Sequence, residues 1–183
     1  MTRFPRSATR GLAIALLAFG SARAQDPPAA DPLAVLDRLE GVWQGEGRGF
    51  GQISQVTHTW ERVLGSKFLR LTTRSVTEAA DGTASVHEDV GYVSWSSGEG
   101  VLRFRQFLSE GFVNTFRVDR VDGADAGLDF EPESTEGVHG LVARMTLRWD
   151  GTDDYEMILE LGADTASLKA CQTMNVKRVA RGS

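Results

Sequence analysis

The stretch that decides the fold is Leu39-Glu40-Gly41-Val42-Trp43-Gln44-Gly45-Glu46-Gly47. Before it, apolar residues recur as they do on one face of a helix, and after it they alternate with polar residues. Such alternation is typical of strands that bury one face. Trp43 therefore stands at the junction between a short amphipathic helix and a long series of β-strands. A small β-barrel with this layout can hold one ligand among its inward side chains.

The short helix has recognisable start and stop signals. Asp31 can cap it, and Pro32 can occupy the first helical position, where a missing N–H costs nothing. Its apolar face consists of Leu33, Leu36 and Leu39. Gly41 can end it as a glycine cap. We therefore expect one short helix ahead of the first strand.

Segments of alternating hydrophobicity fill most of the chain after this helix. The predicted strands are 42–45, 53–63, 67–77, 86–95, 101–108, 112–119, 127–131, 138–149, 155–161 and 168–179. Turns rich in glycine join them, and such turns connect antiparallel neighbours. Eight to ten strands joined in this way predict an all-β, up-and-down antiparallel barrel rather than a βαβ sheet.

The first 24 residues have the layout of a secretory signal peptide. Three arginines precede the apolar run 12–19, and the small residues of 22–24 suit a cleavage site. The apolar run is about half the length of a membrane-spanning helix, so we expect cleavage and no membrane insertion afterwards. Residues 25–30 would then be a tether and 31–180 a single barrel domain. The predicted location is periplasmic or secreted.

Charge and cysteine content narrow the possible partners. The chain has 20 basic and 25 acidic residues, and four of the basic ones lie in the predicted signal peptide, so the mature net charge is −9. The mature chain has no basic run longer than Lys177-Arg178, whereas nucleic-acid binding depends on clustered Lys and Arg. We therefore expect no nucleic-acid partner. Cys171 is the only cysteine, so no intrachain disulfide can form.

Four short motifs resemble the nitrobindin-like, calycin-type barrels and related uncharacterised bacterial exported proteins. They are Gly41-x-Trp43-x-Gly45-Glu46-Gly47, the run 60–69, Glu88-x-x-Gly91-Tyr92 and Glu110-Gly111-Phe112-Val113. The resemblance extends over 33–179 and implies a lipocalin-like barrel. In such barrels the tryptophan of the first strand closes one end, and a basic residue near the carboxyl terminus covers it. Lys177 or Arg178 would serve here, holding a cation over the Trp43 indole.

The resemblance also makes haem a candidate cofactor. Nitrobindin-like proteins that bind haem use a histidine on the last strand as the axial iron ligand, whereas this last strand has Asn175 about where that histidine is expected. A neutral amide is a poor ligand for ferric haem. Met174 and Cys171 are other potential ligands on the strand. A haem protein that acts on nitric oxide or peroxide is therefore the alternative function.

The three histidines lack the spacing of a preformed zinc site. His58, His87 and His139 form no i, i+2 or i, i+4 pair. His87 follows a turn and is expected in solvent. His58 shares a strand face with Trp60, so we expect that either His58 or His139 can line the barrel interior. A structural histidine is the more ordinary interpretation of each.

An aromatic pocket with polar handles is predicted on the central strands. Phe112, Asn114 and Phe116 share one strand face, and we expect Tyr92 to meet them across the barrel. The full predicted ligand-binding set is His58, Trp60, Tyr92, Asn114, Phe116 and Asn175. This composition is usual for small-molecule sites, although core packing explains the aromatic residues equally well.

Motifs of nucleophilic catalysis and phosphate binding are absent from the sequence. It has no G-x-S-x-G elbow, and the glycines of 45–51 lack the lysine and helix of a phosphate loop. We therefore expect non-catalytic binding of a small apolar or amphipathic molecule. A barrel isomerase or hydrolase that uses Glu46, His58 or Tyr92 for acid–base chemistry is the remaining alternative. Arg103 and Arg105 are expected to face solvent, because their neighbour Phe104 favours the interior.

Overall fold

A computed structural model describes residues 31–121 and 127–181 of the 183-residue chain. The predicted signal peptide and tether, together 1–30, lie outside these residues. Among the helices that the structure describes, none combines the length and the hydrophobicity needed to cross a membrane.

Ten antiparallel strands close into one up-and-down barrel. The strands are β1 Gly41–Gly49, β2 Gln52–Val63, β3 Phe68–Glu78, β4 Ala84–Ser96, β5 Val101–Leu108, β6 Val113–Val121, β7 Gly127–Glu136, β8 Val142–Trp149, β9 Asp154–Gly162 and β10 Lys169–Arg181. Each strand pairs with its neighbours in sequence, and β1 pairs with β10 to close the barrel. The predicted all-β antiparallel barrel is confirmed. The largest boundary differences are longer β1 and β7 strands and a later start of β8.

The helix ahead of β1 is a 3₁₀ helix, Ala34–Leu39. The Asp31 carboxylate accepts a hydrogen bond from the backbone N–H of Leu33 at 2.9 Å, so it orders the turn that precedes the helix. Leu33, Leu36 and Leu39 are spaced by three residues, which matches the three residues per turn of a 3₁₀ helix. All three side chains are at most 2% exposed, so the helix is part of the core.

This helix seals the end of the barrel at which β1 begins. Trp43 is fully buried beneath it, and its indole N–H donates to the carbonyl oxygen of Leu39 at 2.7 Å. Trp43 also contacts the ring of Tyr155, with the two centroids 4.7 Å apart. The sealed end is therefore held by aromatic packing and by a hydrogen bond from β1 to the helix.

Arg178, rather than Lys177, covers the buried tryptophan. The Cζ atom of Arg178 lies 4.0 Å from the ring centroid of Trp43, and its guanidinium donates to the carbonyl oxygens of Arg38 and Glu40. Arg178 thus ties the helix to β10. The Lys177 side chain is 80% exposed on the outer face, because neighbouring residues of a strand point to opposite sides.

Aromatic rings fill the interior next to the sealed end. The rings of Phe104, Phe116 and Phe130 have centroid separations of 6.0, 5.6 and 6.5 Å. Gly91 on β4 makes room for Phe104, since a Cβ atom at this position would lie 2.1 Å from the phenyl ring. This packed half of the barrel forms the base of the open half.

Candidate functional site

The half of the barrel away from the helix contains a cavity of about 360 Å³. It opens at the end where turns join β1 to β2, β3 to β4 and β5 to β6. Phe50 and Phe112, from two of these turns, are among its lining residues. The volume lies in the range of small-molecule sites, roughly 300–1,000 Å³.

The cavity has a polar wall and an apolar wall. Strands β2 to β6 supply the polar wall, which consists of the buried residues Ser54, Thr73, Ser75, Asp89, Gln106 and Asn114. Strands β8 to β10 supply the apolar wall, which includes Ala143, Met145, Met157, Leu159, Leu161 and Met174. Methionine side chains are flexible and polarisable, so the apolar wall can adapt to ligands of different shape.

His58 lines the cavity on β2 and belongs to a buried hydrogen-bonded chain. Its Nδ1 lies 2.5 Å from the hydroxyl oxygen of Tyr155, and the indole N–H of Trp60 donates to the same oxygen over 3.2 Å. All three side chains are at most 1% exposed. The contacts with Tyr155 fix the orientation of the imidazole ring. They engage Nδ1 on the core side and leave Nε2 on the other side of the ring.

Burial controls the protonation of His58 and Tyr155, the two titratable residues of this hydrogen-bonded chain. It lowers the pKa of His58 to about 4, so the imidazole is neutral near pH 7. Burial also raises the pKa of Tyr155 above its usual range, so the hydroxyl keeps its proton. The Nε2 atom of His58 has no hydrogen-bond partner among the described residues. Such an atom costs about 1–3 kcal/mol when buried and unpaired.

A second polar cluster, formed by His87, Asp89 and Glu110, lies near the cavity mouth. His87 Nδ1 is 2.9 Å from Glu110 Oε1, and His87 Nε2 is 3.0 Å from Asp89 Oδ1, although this second contact lacks hydrogen-bond alignment. Gln106 donates to Asp89 at 3.1 Å. Burial raises the pKa of Asp89. The three residues offer potential metal ligands within 4.8 Å of one another, yet an ion-pair cluster explains them equally well.

Two residues of the predicted ligand-binding set line the cavity, namely His58 and Asn114. The Asn114 side-chain oxygen accepts a hydrogen bond from the Thr135 hydroxyl at 3.0 Å. Trp60 and Phe116 are buried, but they lie in the packed core and do not line the cavity. Trp60 nevertheless contributes to the site, because it holds the hydroxyl of the residue that orients His58.

Tyr92 and Asn175 lie on the outer face of the barrel, contrary to the prediction. Strand alternation explains both positions. The neighbours of Tyr92, Gly91 and Val93, are buried toward the interior, so Tyr92 faces outward. In the same way Met174 points into the cavity, and the adjacent Asn175 is exposed.

The other residues singled out in the sequence lie mostly outside the cavity. His139 is exposed in the loop between β7 and β8, because β8 starts later than predicted. His87, expected in solvent, is partly buried and lines the cavity. Glu46 forms an ion pair with Arg48 and does not line the cavity. Arg103 faces outward as packing favoured, and it pairs with glutamates there. Arg105 also faces outward, and it pairs with Glu136.

Tyr155 and Asp89 line or support the site, and neither was predicted from the sequence. Period-two alternation was the available signal for Asp89, because it shares a strand face with Gly91. Alternation also places Tyr155 on the same face as Met157. The contact between His58 and Tyr155 joins residues 97 positions apart in sequence. A single sequence carries no signal for such a pair.

Comparison with known proteins supports the fold. No protein-family model matches this chain, and no curated protein matches it in sequence. Among solved structures, Rv2717c from M. tuberculosis is similar with a TM-score of 0.63 and 20% identity, over 81% of this chain and 98% of that one. A de novo designed fluorescence-activating β-barrel matches with a TM-score of 0.38 and 14% identity, over 76% and 92% of the two chains. The likeness to Rv2717c supports the fold alone, a closed ten-stranded antiparallel barrel.

Proposed function

We propose that this protein binds a small molecule with an apolar body and a polar group inside the barrel. The observation that carries the proposal is the position of His58, a buried side chain with an unpaired nitrogen that lines a cavity of about 360 Å³. A buried polar atom without a partner is unfavourable, whereas a bound ligand would supply one. The core beneath the cavity keeps His58 in place.

The two walls indicate what such a molecule looks like. Its apolar body would pack against the methionines and leucines of β8 to β10, where burial of apolar surface contributes about 25 cal/mol per Å². Its polar group would lie against β2 to β6, where hydroxyl and amide side chains offer both donors and acceptors. An amphipathic molecule matches this division better than a pure hydrocarbon or a sugar.

The residues that the two alternative functions would need are not brought together in the cavity. The acid–base set of an isomerase or hydrolase would need Glu46, His58 and Tyr92 together, yet Glu46 and Tyr92 do not line the cavity. A haem inside the barrel would need its axial ligand on the inner face of the last strand, but Asn175 is exposed on the outer face. The Cys171 thiol donates to a backbone carbonyl, and burial raises its pKa, which disfavours the thiolate that binds iron. The last strand therefore does not fit an axial ligand set, apart from Met174.

We also propose that the protein is exported and acts in the periplasm or outside the cell. The arginines and apolar run of 1–24 support this proposal. Amino-terminal sequencing of the protein recovered from its native host tests it. A mature protein that begins near Gln25 is expected, and recovery of the full-length chain in the cytoplasm would contradict export.

Binding can be tested with the neutral apolar dye N-phenyl-1-naphthylamine. We expect saturable one-to-one binding with a blue shift of the dye emission. Met174→Trp should fill the cavity and weaken binding at least tenfold, whereas the matched control Asn175→Trp adds the same side chain outside. Equal binding by the two variants, or no binding by the wild-type protein, would refute the proposal.

A further inference from the structure

We infer that the barrel selects ligands that carry a neutral oxygen acceptor such as a carbonyl group, which accepts a hydrogen bond from the Nε2–H of His58. This inference rests on the proposed binding function and narrows the class of ligand. It follows from the number of protons and acceptors in the chain that links Trp60, Tyr155 and His58. It also follows from the charges of the residues that line the cavity.

The hydrogen-bonded chain determines which nitrogen of His58 carries the proton. Trp60 can only donate, so it occupies one lone pair of the Tyr155 oxygen. If His58 Nδ1 also donated to that oxygen, the hydroxyl proton of Tyr155 would need another acceptor. The described residues offer none besides Nδ1 itself. The arrangement that gives Trp60, Tyr155 and the Nδ1 atom of His58 a partner each has Tyr155 donating to Nδ1.

In that arrangement the proton of the neutral imidazole resides on Nε2. This tautomer leaves one buried group without a partner, the Nε2–H, whereas the other leaves two, the hydroxyl proton of Tyr155 and the lone pair of Nε2. The Nε2–H tautomer of His58 should therefore exceed the other by about tenfold or more. Nε2 then presents a hydrogen-bond donor, and it has no acceptor among the described residues. A carbonyl, ether or carboxylate oxygen would satisfy it. A second donor would not.

The charge of the cavity selects among these acceptors. None of the described lining residues is Lys or Arg, and the imidazole of His58 is neutral near pH 7. The other lining histidine, His87, already lies between the carboxylates of Asp89 and Glu110. A carboxylate buried beside His58 would lack a counter-ion, which is costly. A neutral ketone, ester or amide carbonyl accepts the hydrogen bond without that cost.

The same tautomer disfavours a metal ion or haem iron at His58. Coordination needs a lone pair on Nε2, and the proton would then have to reside on Nδ1. Tyr155 would lose the acceptor of its own proton in that state. His58, as oriented by Tyr155, is therefore suited to donate a hydrogen bond to an organic ligand and poorly suited to ligate iron.

The tautomer can be measured directly by ¹⁵N NMR of the histidine side chains at pH 7. We expect His58 to show a protonated Nε2 and an unprotonated Nδ1. Tyr155→Phe should shift the ring toward a mixture of tautomers, whereas Tyr92→Phe removes the other tyrosine hydroxyl, on the outer face, and should change nothing. A dominant Nδ1–H tautomer in the wild-type protein would overturn the inference, and this measurement holds even if Tyr155→Phe fails to fold.

Selectivity can be measured with the ketone dye 6-propionyl-2-(dimethylamino)naphthalene and two analogues. One analogue has a propyl group in place of the propionyl group, and the other has a carboxylate. We expect the ketone to bind about tenfold more tightly than either analogue. In His58→Leu the preference for the ketone over the propyl analogue should disappear while both still bind.

The outcomes separate the two proposals. Equal affinity of the wild-type protein for the ketone and the propyl analogue would overturn carbonyl selection and leave ligand binding standing. Preference for the carboxylate would overturn the argument from charge. Failure of all three dyes to bind, together with failure of N-phenyl-1-naphthylamine, would overturn both proposals.

Discussion

The stability of this protein should depend on pH through His58. Burial lowers the pKa of His58 to about 4 in the folded protein, against 6.5 as the reference value for an unfolded chain. Between these pH values the unfolded chain binds the proton and the folded protein does not, so the free energy of unfolding falls as the pH falls. The contribution of His58 to the free energy of unfolding is fully present above pH 6.5, and it is lost as the pH approaches 4. At about 1.4 kcal/mol per pH unit, the loss amounts to about 3 kcal/mol.

Urea unfolding followed by tryptophan fluorescence, at several pH values from 4 to 7.5, measures this effect. Other groups also titrate in this range, so the quantity to compare is the difference between the wild-type protein and His58→Gln. We expect that difference to change by about 3 kcal/mol across the range, because glutamine has no titrating proton. His139→Gln removes an exposed histidine and should leave the pH dependence unchanged. A wild-type curve parallel to that of His58→Gln would refute a buried, neutral His58.

Three substitutions and one matched control, Lys177→Ala, test the packing of the barrel by equilibrium unfolding. Trp43→Ala should lower the free energy of unfolding by about 3–5 kcal/mol, and a loss below about 1 kcal/mol would show that Trp43 does not close the barrel end. Arg178→Ala should cost about 2–3 kcal/mol, because it removes a cation over the indole and the hydrogen bonds to the carbonyl oxygens of Arg38 and Glu40. Lys177→Ala should cost less than about 0.5 kcal/mol, so equal losses at Arg178 and Lys177 would contradict the assignment. Gly91→Ala should cost about 1–3 kcal/mol because its Cβ would meet the ring of Phe104; an unchanged stability would mean that the ring moves freely.

The barrel was predictable from sequence because its signals are local. Alternating hydrophobicity and glycine turns occur within short windows, and they marked all ten strands and the helix within a few residues. The exceptions are the end of β1, which extends to Gly49, and the boundary between β7 and β8. There the run 138–141 is apolar enough to read as strand, whereas the chain forms a loop that contains His139.

The candidate site was less predictable because strand direction and pairing across the barrel determine it. Tyr92 and Asn175 were chosen for residue type and for a resemblance, and one position along a strand separates an inward from an outward side chain. His58 was found because it shares a face with Trp60. Its orientation depends on Tyr155, which reaches it from β9. That contact exists only once the barrel is closed.

The measurement that tests ligand binding inside the barrel most directly is methyl NMR of the inner methionines. Met145, Met157 and Met174 all line the cavity, from three adjacent strands. In protein labelled with ¹³C at the methionine methyl groups, saturation with N-phenyl-1-naphthylamine should shift all three signals and give nuclear Overhauser contacts to the dye rings. Binding of the dye with these three methyl signals unchanged would contradict a ligand site inside the barrel.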